Sequence, residues 1–254
     1  MTGMSSPTLG AEPSGSVPVP DAVVRMAGEA CPAPVWRNAL GGITFRLDSG
    51  ATARFVKWAP RGSLVDFAAE AERLQWAAPF TPVPRVLAEG SDDDGDWLVT
   101  AALPGSSAVS DRWRREPALA VRAIGAGLRA LHNALPLAGC PFDWSVAERV
   151  RQARERDGCL VGRELPSGPP IDRLVVCHGD ACAPNTLLDD RGRWTGHVDL
   201  GALGVADRWA DLAVATWSTE WNYGPGWEDE LLAAYGVEPD PVRTDFYRRV
   251  WEAT

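Results

Sequence analysis

The 254-residue chain is 45% hydrophobic and 23% charged, with 12 Trp, which supports a sizeable buried core in one or two domains and excludes a disordered chain. Its net charge of −9 argues against non-specific nucleic-acid binding and suits a cationic partner. No apolar run is long enough for a membrane span, no basic start leads into the apolar stretch of a secretory signal, and 5 Cys without disulfide-framework spacing fit a reducing cytoplasm.

Residues 1–20, rich in Pro, Gly and Ser, are expected to be a flexible tail. The segment from Val35 to Trp58 has β character. Phe45–Leu47 and Ala53–Trp58 are strand candidates joined by a turn at Asp48-Ser49-Gly50. From Val65 to Ala77 the period becomes helical, with Leu64, Phe67, Ala68, Ala71 and Leu74 on one side, and Pro79, Pro82 and Pro84 end that helix. Arg85–Glu89 and Trp97–Ala101 read as two more strands around the acidic turn Ser91–Gly95. Pro104-Gly105 is a breaker and a candidate hinge. Beyond it, Pro117–Asn133 predicts an amphipathic helix with Leu119, Ile124, Leu128 and Leu131 on one face. Asp143–Asp157 predicts a second helix. Leu174–Cys177, Thr186–Asp189 and Trp194–Val198 predict short strands, and Asp207–Ser218, Trp227–Tyr235 and Pro241–Ala253 predict helices. The pattern is α+β, with a β-rich lobe (21–103) holding one long helix, a mainly helical lobe (104–254), and a cleft expected between them.

Of the 25 basic residues all but Lys57 are Arg. An ammonium is a compact point charge and a guanidinium a planar fork, so a lone Lys in an Arg-biased chain stands out as a candidate phosphate ligand. The densest chemical constellation is Val176-Cys177-His178-Gly179-Asp180-Ala181-Cys182-Ala183-Pro184-Asn185, followed by Val198-Asp199-Leu200-Gly201. Phosphoryl transfer from a nucleotide needs these residue types. One carboxylate, Asp180, orients the attacking hydroxyl and takes its proton. An amide oxygen, Asn185, and a second carboxylate, Asp199, hold Mg²⁺, a hard ion that takes oxygen ligands. Cys177, His178, Cys182 and His197 fit no common zinc spacing.

His178-Gly179-Asp180 through Asn185, with Asp199-Leu200-Gly201 and then Gly204, Ala206-Asp207-Arg208 and Asp211-Leu212-Ala213, resembles the aminoglycoside phosphotransferases, most closely the 3′ and 3″ O-phosphotransferases. Cys140-Pro141-Phe142 and Phe246-Tyr247 are similar to that group as well, and the likeness runs from Trp36 to Thr254. It implies a two-lobed, protein-kinase-like fold using ATP or GTP with Mg²⁺. Lys57, on a strand, would hold the α/β-phosphates and pair with Glu70 on the next helix, Glu72 being the rival. Backbone groups at Ala101–Leu103 would read the purine. His178 would anchor the loop, and Asp211 would brace its backbone. The acceptor would be a cationic aminoglycoside, recognised by Glu252 and the terminal Thr254, with Glu220 a further candidate and Trp221 a possible wall of its cleft. Neither nucleic acid nor membrane would be a partner, and a monomer or weak dimer is expected.

The chain departs from that family in four places. The nucleotide loop Leu40-Gly41-Gly42-Ile43-Thr44 lacks a Ser, Ala202 follows Asp-Leu-Gly in place of an Arg, Trp251 stands where an acidic residue is usual, and the segment from Asp143 to Leu174 is short. These leave open a second reading, a kinase of the same fold for another small hydroxyl compound such as a sugar, amino alcohol or biosynthetic intermediate. A non-catalytic nucleotide-binding protein would have lost Lys57, Asp180, Asn185 or Asp199, and all four are present.

Overall fold

Apolar side chains at every second position build the first half of the fold. The computed structural model describes residues 10–49, 52–157 and 167–254. Two units are distinguished, Met1–Gln75 with Pro84–Ala102, and Trp76–Val83 with Leu103–Thr254. The first holds α1 (Asp21–Ala27), β1 (Ala33–Arg37), β2 (Ile43–Ser49), β3 (Thr52–Pro60), most of α2 (Phe67–Ala77), β4 (Val86–Ser91) and β5 (Gly95–Ala101). The five strands form one antiparallel sheet in the order β1-β2-β3-β5-β4. Ile43, Phe45 and Leu47 alternate along β2 and join Val56, Val99, Val23 and Ala27 in one core. Lys57, between Val56 and Trp58, pairs with Thr44 and Leu98. Phe67, Glu70, Ala71, Leu74 and Ala77, three or four residues apart around one face, are the buried stripe of α2.

The expected flexible tail is corrected for its second half. Ala11 exchanges two 2.9 Å backbone hydrogen bonds with Arg37, and Val17 and Val19 pack on the sheet core. Residues 1–9 lie outside the described residues. Helix α1 went unforeseen; it buries Val23 and Ala27 against the sheet. Asp48 and Ser49, expected in a turn, stay in the ladder opposite Ala53 and Thr52, and Gly50 lies outside the described residues. Helix α2 starts at Phe67 rather than Val65, because the Asp66 carboxylate caps it by accepting from the Ala69 N–H at 2.8 Å.

The second unit contains β6 (Ser106–Ser107), α3 (Asp111–Arg114), α4 (Pro117–Ala134), α5 (Val146–Asp157), β7 (Leu174–Cys177), β8 (Thr186–Leu188), β9 (Trp194–His197), β10 (Gly204–Asp207), α6 (Trp209–Tyr223), α7 (Glu228–Tyr235) and α8 (Pro241–Ala253). Strands β7 and β10 pair antiparallel, and β6, β8 and β9 form a second small sheet. Every residue of α6 from Trp209 to Thr219 is buried. The buried face of α4 is Val121, Ile124, Leu128 and Leu131; Leu119, expected there, is 41% exposed because it lies off that stripe. A Cβ on Gly125 would come within 2.4 Å of the Leu231 carbonyl oxygen, so this glycine lets α4 and α7 touch through their backbones. Trp76–Val83, expected in the first lobe, groups with the second unit. There the His197 N–H donates to the Pro82 carbonyl at 3.2 Å, and the Trp76 ring meets Phe142 edge-on at 5.8 Å. Helix α6 begins after Asp207, whose carboxylate accepts from the Trp209 N–H. Among the described residues no helix is long and apolar enough to cross a membrane, and no disulfide joins any two of Cys31, Cys140, Cys177 and Cys182.

Candidate active site

Strand β7 delivers the chain into the loop that begins at His178, and helix α6 fixes where that loop goes. The buried Asp211 carboxylate accepts the His178 N–H at 2.6 Å and the Gly179 N–H at 2.9 Å. His132 Nε2 donates to the same carboxylate at 2.9 Å, and its Nδ1 meets the Tyr235 hydroxyl at 2.8 Å. Burial by itself would raise the Asp211 carboxyl. The His132 hydrogen bond and charge and the loop N–H groups outweigh it and hold the group below its ordinary value. His178 is an anchor: Nε2 donates to the Val198 carbonyl at 3.0 Å, and Nδ1 accepts the Asp180 N–H at 3.3 Å.

Asp180 and Asn185 close the loop on each other. Asn185 Nδ2 donates to the Asp180 carbonyl at 2.9 Å and to its Oδ2 at 3.0 Å. Both N–H bonds of the amide are thus directed at Asp180, and its oxygen remains as a ligand atom. Burial and then the nearby Asp199 charge push the Asp180 carboxyl up. The β8–β9 hairpin returns the chain to this point, where the Val198 N–H donates to the Asn185 carbonyl at 3.0 Å. Asp199 follows at φ 66°, the one non-glycine residue with positive φ among those described. Such a conformation costs about 1–3 kcal/mol and persists only where its surroundings impose it. Amide and carboxylate oxygens from Asn185 and Asp199 are the donor chemistry Mg²⁺ takes, and the Asn185 geometry fits that use.

Gly179 sits at φ 85°, and a Cβ there would lie 2.1 Å from the Ala202 carbonyl oxygen. The Gly179→Ala variant is therefore expected to lose about 2–4 kcal/mol of stability and most of its turnover, read by thermal melting and a steady-state assay. A wild-type melting temperature would contradict this packing.

In the first unit, Lys57 Nζ donates to Glu70 Oε1 at 2.6 Å, with side chains 19% and 7% exposed. Glu72 is exposed, so Glu70 and not its rival is the partner. Of the expected purine-reading positions, Ala101 lies in the first unit and Leu103 in the second. The Ala101 N–H is taken by the Arg85 carbonyl at 2.9 Å and the Ala102 N–H by Ala53 at 3.0 Å. The Leu103 N–H donates to no backbone carbonyl among the described residues.

The expected acceptor residues are less gathered. Glu220 on α6 and Glu252 on α8 are exposed and form no ion pair among the described residues. Thr254 Oγ1 accepts from Arg149 Nε at 3.1 Å and donates to the Val250 carbonyl at 2.8 Å. Trp221 and Trp251 form a cluster with Trp217, ring centroids 5.0–6.0 Å apart, where α6 meets α8. Arg208 pairs with Asp172 at 2.5 Å rather than with Asp207, whose carboxylate takes the Asp172 and Trp209 N–H groups. His132, Cys177 and Asp211 lie close enough to share a metal ion. His132 and Asp211 are instead spent on each other and on the loop, and burial pushes the Cys177 thiol up, which disfavours the thiolate. Ser218, whose hydroxyl accepts the Ala183 N–H at 2.9 Å, was missed by sequence reasoning. Its seven-residue spacing from Asp211, two turns along one helix face, was the available signal.

Residues 39–247 match the model of the phosphotransferase enzyme family. The chain belongs to that family. This phosphotransferase is 37% identical over 222 residues to an aminoglycoside 3′-phosphotransferase of Streptomyces fradiae, covering 77% of this chain and 82% of that one. It is 34% identical over 230 residues to the streptomycin 3″-kinase of Streptomyces griseus, covering 76% and 82%. Its fold matches the crystal structure of a type VIII aminoglycoside 3′-phosphotransferase with TM-score 0.75 and 34% identity, over 92% of this chain and 98% of that one. It also matches an aminoglycoside phosphotransferase of Streptomyces rimosus in complex with ADP and streptomycin, with TM-score 0.67 and 30% identity, over 91% and 96%. The kinase-like α+β fold of this enzyme is thereby established.

Proposed function

We propose that the enzyme transfers the γ-phosphate of ATP or GTP to the 3′ or 3″ hydroxyl of an aminoglycoside and so confers resistance to it. The observation that carries this reading is the Asn185 amide bridging to both the backbone and the carboxylate of Asp180, which holds the carboxylate still while leaving the amide oxygen for a cation. The names of relatives from both the 3′ and 3″ classes support the acceptor class, and a net charge of −9 suits a polycationic drug.

In this reading Asp180 orients the acceptor hydroxyl and takes its proton during in-line attack. Asn185 and Asp199 hold Mg²⁺, which supplies charge neutralisation to the nucleotide phosphates. Lys57, fixed by Glu70, binds the α/β-phosphates, and backbone groups at Ala101 and Leu103 meet the purine. Glu220, Glu252 and Thr254 are the candidates for binding the drug's ammonium groups. Catalysis is then mostly positioning and charge stabilisation. A cytoplasmic monomer or weak dimer acting without nucleic acid completes the proposal.

The test is a coupled nucleotide-turnover assay with Mg²⁺, ATP or GTP, and a panel that includes kanamycin and streptomycin. Drug-stimulated turnover is expected. Nucleotide binding without stimulation by any drug would overturn the acceptor class and favour another small hydroxyl compound.

A further inference from the structure

Helix α6 touches the Asp180 loop at two places, and only the first is explained by the Asp211 brace. Ser218 lies two turns beyond Asp211 and on the same face of the helix. Its side chain is fully buried, and its Oγ accepts the Ala183 N–H at 2.9 Å. Other hydroxyls of this helix bond back to their own helix: Thr216 donates to the Leu212 carbonyl at 2.8 Å and Thr219 to the Thr216 carbonyl at 2.6 Å. The Ser218 oxygen instead accepts a backbone donor from the loop. It is further oriented by Asn222, whose Nδ2 donates to Ser218 Oγ at 3.2 Å and to the Ser218 carbonyl at 2.8 Å. Arg114 donates to Asn222 Oδ1 at 3.4 Å and fixes that amide in turn.

Ala183 stands between Asp180 and Asn185 and opens the short helical turn Ala183–Asn185 that presents the Asn185 amide. Asp211 fixes the loop where it enters, through His178 and Gly179, and Ser218 fixes it where it turns. We propose that Ser218 is a positioning residue for phosphoryl transfer, setting the spacing of Asp180 and Asn185 through the Ala183 N–H. The inference rests on the roles proposed for those two residues. Without the Ser218 oxygen the loop keeps its entry anchor but loses the one at its turn, so the Asn185 amide no longer meets Asp180 in one fixed geometry.

The experiment compares Ser218→Thr with Ser218→Val, which have the same shape and differ in the hydroxyl. Ser218→Val is expected to lower kcat by about tenfold with the nucleotide KM changed by less than roughly twofold, and Ser218→Thr to keep most of the rate. Amide hydrogen exchange at Ala183 is measured on the same proteins and needs no acceptor. Faster exchange is expected in Ser218→Val and not in Ser218→Thr. Equal kcat losses in both variants would show a packing effect and overturn the proposal. Wild-type protection of Ala183 in Ser218→Val would also overturn it, whatever the acceptor proves to be. Should Ser218→Val not fold, Ser218→Ala is read by the same two measurements with the same consequences. Failure of the acceptor reading shows separately, as wild-type enzyme that no drug stimulates.

Discussion

The Asp180→Ala variant is expected to lose acceptor-dependent turnover by a factor on the order of 10³ while binding nucleotide nearly as tightly as the wild type. The carboxylate is held by its own neighbours, with Asn185 Nδ2 at 3.0 Å from Oδ2 and the Asp180 N–H on His178 Nδ1 at 3.3 Å. Removing the side chain breaks the Oδ2 bond but leaves the backbone anchors, Asn185 Nδ2 on the Asp180 carbonyl at 2.9 Å and the Asp180 N–H on His178 Nδ1, so the loop persists and the group that orients and deprotonates the hydroxyl is gone. The check is steady-state kinetics beside a nucleotide titration. Turnover near the wild-type rate would remove Asp180 from the chemistry. Equal losses in rate and nucleotide affinity would instead mean that the loop had collapsed.

The second large effect is expected at Asp211. Its two carboxylate oxygens accept three donors, the His178 N–H, the Gly179 N–H and His132 Nε2. An Asn at this position offers one oxygen and one NH₂, so at least one of the three buried donors loses its acceptor. Asp211→Asn is expected to cost about 3 kcal/mol of stability, read as a lowered denaturant midpoint, and to lower kcat as the loop loosens. The pH dependence follows from the same contacts. The folded carboxyl is held below its ordinary value of 3.8, so its contribution is complete above that value and is lost as pH falls through the lower folded one. The wild type should therefore lose stability below about pH 4 more steeply than Asp211→Asn does. Parallel acid limbs for the two proteins would contradict the assignment.

Much of the site was legible in the sequence because its parts are close along the chain. Asp180 and Asn185 are five residues apart on one loop, and a short hairpin returns Asp199 beside them, so residue type and spacing alone suggest the constellation. Lys57 stood out through composition, being the one ammonium among guanidinium groups. The choice between Glu70 and Glu72 needed the helix phase: Glu70 shares the buried stripe with Phe67, Ala71 and Leu74, and Glu72 points to solvent. Ser218 escaped because its role depends on a backbone N–H, which no residue type announces. The N-terminal segment was misread because Val17 and Val19 sit among prolines and small polar residues, and two apolar side chains do not reveal the sheet face they will cover. Strand β10 was missed for a related reason. Its four residues, Gly204–Asp207, have no pattern of their own and become a strand through pairing with β7. Acceptor residues such as Glu220 and Glu252 came from likeness, and among the described residues no side-chain hydrogen bond or ion pair ties either to the Asp180 loop.

The most direct test follows the phosphoryl group itself. Enzyme, Mg²⁺, nucleotide and one stimulating aminoglycoside are incubated, and the drug is recovered for mass spectrometry and phosphorus NMR. A drug carrying one added phosphoryl group, scalar-coupled to the proton at its 3′ or 3″ carbon and absent when Asp180→Ala enzyme is used, is the expected result. Unmodified drug alongside inorganic phosphate, or a phosphorylated drug that still forms with Asp180→Ala enzyme at the wild-type rate, would contradict the proposed chemistry.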